Sequence, residues 1–167
     1  METIAVYWEN KAKTYGFQVE RDLSLFQISV APFEMAELGS TLFNDTSGIR
    51  FSWVLAQSTG DHQRLKIYLL LNQEWAPSMQ GIVERAREND IDLNLQTTSP
   101  VELIYFHGPH FGDRYGIADT ALGTLRRKGL PIIATGCTGA SVYIIAPEKQ
   151  SAEIKQILSG VFDTPNE

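Results

Sequence analysis

The residues best suited to bind a small ligand lie in a glycine-rich turn from Gly108 to Ala118. Glycine allows backbone N–H groups to approach a ligand closely, and the N-terminus of a following helix favours a carboxylate. Asp113 could meet the ammonium group of an amino acid, or it could cap the helix. The turn therefore indicates an amino-acid site, and the alternative is an ordinary strand-to-helix connection.

Two other groups of residues could carry chemistry. Cys137 lies between glycines in Gly136-Cys137-Thr138-Gly139, where an exposed thiol could act as a nucleophile with His107 as its base. A packed thiol is the simpler interpretation. His107, His110 and Asp113 could contribute to a zinc site, but no cysteine or fourth ligand is near them in sequence. The sequence has no phosphate-binding loop or dinucleotide motif, so we expect no catalytic residues, no metal and no cofactor.

Composition limits the classes of partner. The chain has 167 residues, of which 43% are hydrophobic and 20% charged, and a formal net charge of −6. An acidic protein binds phosphate backbones poorly, so nucleic acid is not expected as a partner. No run of 18 apolar residues predicts a membrane span. A single cysteine and an N-terminus without a signal-peptide pattern are typical of a cytoplasmic protein.

The order of predicted elements is duplicated. Residues 101–162 give a strand, the glycine-rich turn, a helix, two strands and a helix, and a diverged copy of this order occupies residues 25–90. Alternating apolar residues predict the strands, including short ones at Ile4–Trp8 and at Ile132 and Ile133. Apolar residues at helical spacing predict the helices, including the stripe Met79, Ile82, Val83 and Ala86 and the stripe Ile117, Ala121, Leu122 and Leu125. Gly129 is predicted to end the second of these helices, and the basic run Arg126-Arg127-Lys128 before it is given a structural role at the helix C-terminus. Two such βαββα units are typical of the ferredoxin-like fold.

Several segments resemble the tandem ACT regulatory region of aspartokinases. Tyr15–Ile28 resembles the entry into the first ACT unit, and Asn94–Tyr105 resembles the entry into the second. Three further segments resemble the body of the family's second ACT unit: Gly108–Ala118 with the helix after it, Gly129–Ile132 and Ala140–Ile145. The resemblance covers residues 15 to 163. It departs from the family at the glycine-free turn Ala31–Met35, and at Tyr115, where proline is common.

The resemblance implies a specific division of the chain. Residues 1–14 would form an extra N-terminal strand, and 20–98 the first ACT-like unit. Residues 15–19 would join 99–163 in the second unit, leaving 164–167 as a tail. The kinase domain that precedes such units in aspartokinases is not found, so the resemblance implies a free-standing regulatory module. Its partner would be a separate kinase chain or another biosynthetic enzyme chain.

We therefore predict an α+β fold of two ferredoxin-like, ACT-type units (βαββαβ) with strand exchange between them. The predicted function is non-catalytic regulation of amino-acid metabolism by binding a small metabolite, for which the turn favours an amino acid. Pairing of exposed sheet edges favours a homodimer. A thiol-dependent enzyme using Cys137 and a ligand-free interaction module are the alternatives. The predicted ligand-binding residues are Phe111, Gly112, Asp113, Arg114, Tyr115, Gly116, Ile117, Ala118, Ile133 and Thr135.

Overall fold

A computed structural model describes residues 11–58, 60, 63–109 and 111–164, apart from the Phe43 side chain. The predicted strand at Ile4–Trp8, the histidine at position 110 and the last three residues of the predicted tail lie outside these ranges. The strands are β1 (Phe17–Val30), β2 (Phe51–Ser58), β3 (Leu65–Asn72), β4 (Leu93–His107), β5 (Ala134–Cys137) and β6 (Ser141–Pro147). The helices are α1 (Met35–Asp45), α2 (Ala76–Glu88), α3 (Ile117–Arg127) and α4 (Ser151–Val161).

The strands follow the order β2-β3-β1-β4-β6-β5. The pairs β1–β3, β2–β3 and β5–β6 are antiparallel. The chain divides into two compact units, one from Arg21 to Glu102 and the other formed by the residues up to Glu20 with those from Leu103 onward. Both division points fall inside a strand, β1 and β4, so each of these strands contributes to both units. This arrangement confirms the predicted α+β fold with strand exchange.

The two long strands are not divided as the sequence pattern indicates. Alternation predicts separate runs on either side of Asp22, but β1 continues through this residue with a φ of 56°. Aspartate adopts this left-handed backbone more readily than most residues, so the strand is bent there without ending. In the same way β4 continues through Pro100, although proline removes one donor from the strand.

The unit from Arg21 to Glu102 buries one face of its strands against α1 and α2. The predicted stripe of α2 is correct, because Met79, Ile82, Val83 and Ala86 are all buried. They pack in one cluster with Phe26, Ile28, Leu69 and Leu71, among other residues of β1 and β3. Burial of aliphatic and aromatic side chains at about 25 cal/mol per Å² is the main stabilising contribution to such a core.

The other unit has an aromatic core. Phe106 at the end of β4 lies 5.0 Å from Phe17, 5.2 Å from Phe162 and 5.9 Å from Phe111, measured between ring centroids. Helices α3 and α4 contribute Ala121, Leu125, Ile154 and Leu158 to the same cluster. Phe111 and Ile117 of this cluster come from the glycine-rich turn, so the core fixes the position of that turn.

The segment before β1 is attached to the end of β4. The Tyr15 amide donates to the His107 carbonyl oxygen at 2.9 Å, and the Thr14 amide donates to the Asp163 carbonyl oxygen at 2.8 Å. Gly108 is required at this contact, because a Cβ atom there would lie 2.1 Å from the Lys13 carbonyl oxygen. In the described part of the chain, no helix has the length and hydrophobicity needed to span a membrane.

Candidate functional site

The glycine-rich turn places a left-handed residue at the start of α3. Gly116 occupies the N-cap position with a φ of 84°, and its carbonyl oxygen accepts the Thr120 amide at 2.8 Å. Serine or aspartate at an N-cap would offer a side-chain oxygen to the first free N–H groups of the helix, and glycine cannot. Gly116 therefore leaves the positive end of α3 without the usual acceptor from its own N-cap residue.

The predicted residues of the turn divide into buried and exposed positions. Phe111 and Ile117 are each 8% exposed and belong to the core cluster, so they hold the turn in place. Gly112, Asp113 and Gly116 are exposed, and Tyr115 is 99% exposed. The exposed members are therefore the ones that can contact a ligand directly.

The turn lies beside the hairpin that joins β5 to β6. A Cβ atom on Gly112 would lie 3.2 Å from the Gly139 carbonyl oxygen, which is tighter than ordinary contact. The hairpin closes where the Thr138 amide donates to the Ser141 carbonyl oxygen at 2.9 Å. The two glycine-containing segments are therefore neighbours in space.

Ile133 and Thr135 line a surface pocket of about 410 Å³. The other lining residues are Leu122, Arg126, Leu130, Ile132 and Ala134. None of them belongs to the segment 111–118, so the structure places Ile133 and Thr135 with the C-terminal half of α3 instead of with the turn residues. The predicted short strand at Ile132 and Ile133 is wrong by two residues, since β5 begins at Ala134.

The end of α3 forms this pocket. Gly129 has a φ of 74°, the Gly129 amide donates to the Arg126 carbonyl oxygen, and the Leu130 amide donates to the Leu125 carbonyl oxygen. These two bonds define the Schellman motif, in which a left-handed glycine ends a helix. The chain then reverses, and residues 130–133 run back past α3 toward β5. The C-terminal role predicted for Gly129 is therefore confirmed.

The surroundings of Cys137 disfavour the thiolate form of its side chain. It is exposed at the end of β5, and partial burial raises the pKa of its thiol. A catalytic cysteine needs a lowered pKa, because the thiolate is the nucleophile. The ring of His107 lies 5.3 Å from that of Tyr15. Among the described residues no three histidine, cysteine or acidic side chains are grouped to hold a metal.

The corresponding turn of the first unit is built differently. Ala31 is extended, and Pro32–Glu34 form a short 3-10 helix leading into α1, with Phe33 85% exposed. Glu34 accepts the Asp92 amide at 3.0 Å through Oε1. Trp75 is half-buried against the core of this unit.

Sequence reasoning missed two residues of the pocket. Leu122 was assigned to the helix core, and Arg126 was assigned a structural role in the basic run at the end of α3. Their i, i+4 spacing puts both on one face of the helix, but only the path of residues 130–135 shows that this face borders a pocket.

No protein-family model matches the sequence, and no curated protein sequence matches it. Solved structures do match. The regulatory subunit of aspartate kinase from Thermus flavus superposes with a TM-score of 0.78 at 12% identity, covering 90% of this chain and 99% of that one. The chain has the fold of an aspartate kinase regulatory subunit.

Two further aspartokinase structures share this fold. A structure of aspartokinase alpha and beta subunits matches with a TM-score of 0.71 at 12% identity, covering 89% of this chain and 97% of that one. Escherichia coli aspartokinase III in complex with lysine and aspartate matches with a TM-score of 0.59 at 12% identity, covering 94% of this chain and 35% of that one. The resemblance noted in the sequence is thus confirmed at the level of fold.

Proposed function

We propose that this protein is a regulatory module that binds an amino acid and passes the binding event to an enzyme of amino-acid metabolism. The observation that carries the proposal is the correspondence with a whole aspartate kinase regulatory subunit, of which the match covers 99%. A fold does not determine a function by itself. The local geometry of α3 and β5 supplies the second line of support.

The proposed site combines the exposed part of the turn with β5. Gly112, Asp113, Tyr115 and Gly116 are accessible at the N-terminus of α3, where the helix dipole favours a carboxylate. Ile133 and Thr135, which line the pocket beside the C-terminal half of α3, are proposed to contribute as well. Phe111 and Ile117 hold the turn from the core.

The proposed partner is a separate kinase chain, and the proposed oligomer is a homodimer. One of the matching structures contains aspartokinase alpha and beta subunits, which is a precedent for such a partner. Strands β2 and β5 stand at the two ends of the strand order, so each presents one edge that pairs with no described strand. A ligand at a subunit interface would act through its different affinities for two subunit arrangements.

A thermal-shift panel of the twenty amino acids tests the proposal. A ligand that binds only the native state stabilises it by RT ln(1 + [L]/Kd), or about 2.7 kcal/mol at one hundred times Kd. Gly116→Asp places a carboxylate where the ligand carboxylate would lie. Gly48→Asp is a matched control, because Gly48 has a φ of 89° and open space around it but lies outside the site.

We expect one amino acid, or a few related ones, to raise the melting temperature of the wild type and of Gly48→Asp but not of Gly116→Asp. A panel in which no amino acid shifts the wild type would contradict the proposal. A shift that Gly116→Asp retains would leave the function in place but move the site away from the turn.

A further inference from the structure

We infer that the open edge of β5 is a docking site for a short, extended and acidic segment of a partner enzyme chain. The segment would add a strand beside β5 and place one carboxylate against Arg126. This inference rests on the proposed function, because it names the surface that binds the partner chain proposed there. The other open edge, on β2, remains for the proposed homodimer.

The hydrogen-bond register leaves main-chain groups of β5 free at this edge. In an antiparallel pair, residues whose backbone groups face the partner strand alternate with residues whose groups face away. The Thr138 amide donates to the Ser141 carbonyl oxygen, so Gly136, two residues earlier, also faces β6. Thr135 and Cys137 therefore direct their N–H and C=O groups outward, and no strand in the described part of the chain pairs with them.

The sequence of β5 does not protect this edge. Natural edge strands are commonly protected by charged side chains, by proline or by a bulge. The four residues Ala134–Cys137 include no charge and no proline, and their register with β6 is regular. An extended peptide uses an edge of this kind when it adds a strand to a sheet. The short length of β5 limits the paired segment to a few residues.

The same register fixes which side chain of the docked segment meets α3. Thr135 lies opposite Ile144 of β6, and Ile144 belongs to the core cluster packed against α3 and α4. Residues directly opposite each other lie on the same face of a sheet, so Thr135 faces the helices as well. A residue paired with Thr135 from the open side would therefore direct its side chain over the pocket that Thr135 and Arg126 line.

This pocket suits a polar, negatively charged side chain. Five of its seven lining residues are aliphatic, yet most of the surface that it presents to solvent is polar. Aliphatic side chains carry no polar atoms, so the polar surface comes from Arg126, Thr135 and the main chain. Among the described residues no acidic side chain lines the pocket, so its wall carries a net positive charge.

The Arg126 guanidinium is available to a partner. It is exposed and makes no hydrogen bond or ion pair within the described part of the chain. Its neighbour Arg127 donates to the Thr124 hydroxyl at 2.9 Å and does not line the pocket. Guanidinium groups bind carboxylates through charge-assisted hydrogen bonds. The partner's carboxylate is distinct from that of the free amino acid, which the proposed function places at the other end of α3.

Amide NMR titrations of the full chain test the inference with capped pentapeptides of the sequence Thr-Val-X-Val-Thr. X is glutamate, glutamine or lysine, and the β-branched residues around it favour an extended backbone. Two further glutamate peptides are N-methylated, one at X and the other at the following valine. With X paired antiparallel to Thr135, the amide of X bonds to β5 and the next amide points away, so the second peptide is the matched control.

Each peptide is titrated into the wild type, Arg126→Gln and Arg127→Gln. The two variants remove the same charge from adjacent exposed positions of one helix, and thermal melts establish that both are folded. Hydrogen exchange of the Thr135 and Cys137 amides is measured with and without the glutamate peptide.

We expect the glutamate peptide to shift the amides of residues 133–137 and to bind the wild type about three- to fivefold more tightly than the glutamine peptide, as for an ion pair at an exposed arginine. The lysine peptide should bind most weakly. The preference for glutamate should persist in Arg127→Gln and disappear in Arg126→Gln. Methylation at X should weaken binding about tenfold, and methylation at the following residue by less than about twofold. The Thr135 and Cys137 amides should exchange rapidly in the chain alone and slowly in the complex.

Equal affinities of the glutamate and glutamine peptides for the wild type would overturn the inference, as would a preference that survives in Arg126→Gln. Slow exchange of the Thr135 and Cys137 amides without peptide would also overturn it, because a second copy or another part of the chain then covers the edge. The inference fails as well if no peptide at millimolar concentration shifts residues 133–137. None of these results affects the thermal-shift panel of free amino acids, so failure of the docking site and failure of the proposed function are distinguishable.

Discussion

Replacing Gly108 with alanine should destabilise the protein severely, although the change adds a single methyl group. A Cβ atom at this position would lie 2.1 Å from the Lys13 carbonyl oxygen and 2.6 Å from Cε1 of Phe111. Real Cβ contacts do not occur at such distances, so the backbone of Lys13 must move.

The movement is costly because the neighbours of Lys13 are held on both sides. The Thr14 and Tyr15 amides donate to the carbonyl oxygens of Asp163 and His107, and the Asp163 amide donates to Ala12. Loss of two such bonds at about 1 kcal/mol each, together with overpacking strain of about 1–3 kcal/mol, predicts a loss of about 3–5 kcal/mol. For a protein of this size that lowers the melting temperature by about 6–20 °C.

Chemical denaturation and thermal melts would measure this loss against Gly39→Ala. Gly39 lies within α1, has open space around it and has no positive φ, so alanine there should stabilise the protein by about 0.5–1 kcal/mol. The two substitutions add the same methyl group, and the expected changes in the free energy of unfolding have opposite signs. If the free energy of unfolding of Gly108→Ala lies within about 0.5 kcal/mol of the wild-type value, the segment before β1 is not held against Gly108 in the way described.

Two further predictions concern residues outside the proposed site. Arg64→Ala should lower the free energy of unfolding in urea by about 2 kcal/mol, because Arg64 donates to the side chains and carbonyl oxygens of both Ser29 and Asp92. The control Lys66→Ala, at an exposed position, should change it by less than about 0.5 kcal/mol. Equal effects of the two substitutions would contradict a stabilising role for Arg64. Thiol labelling of Cys137 should be slow at neutral pH, because burial raises the pKa of Cys137. The pH at which the labelling rate is half its maximum should lie above the ordinary thiol pKa of about 8.5. Rapid labelling at pH 7 would contradict a raised pKa.

The regular elements could be predicted wherever one periodicity dominated. The stripe Met79, Ile82, Val83 and Ala86 predicted α2, and all four side chains are buried. Gly129 predicted the end of α3, because a left-handed residue there requires glycine or asparagine. These features depend on local backbone and side-chain preferences, which the sequence carries directly.

The long strands could not be predicted in the same way. Asp22 and Pro100 are both disfavoured in strands, so the pattern divided β1 and β4 at these residues. The continuous strands result from pairing with partners distant in sequence, such as the 2.8 Å hydrogen bond between the Ser24 and Ser99 hydroxyls. Strand pairing over such separations depends on the fold as a whole, and local propensity does not report it.

The candidate site could be predicted in part. The turn Gly108–Ala118 followed from its glycines and from the resemblance, but its approach to Gly139 and the pocket beside Ile133 and Thr135 did not. Arg126 is one of three consecutive basic residues, and the sequence does not distinguish the one at the pocket from the one bonded to Thr124. That distinction requires the path of the chain after Gly129.

The central claim is that an amino acid binds at α3 and β5, and an amide NMR titration of the 18.7 kDa chain tests it most directly. Amino acids added one at a time should give saturable chemical-shift changes for at least one of them. The largest changes should fall on residues 112–118 and 133–135, with the amides of 31–55 in the first unit nearly unchanged. Changes confined to residues 31–55, or a spectrum that no amino acid alters, would contradict it.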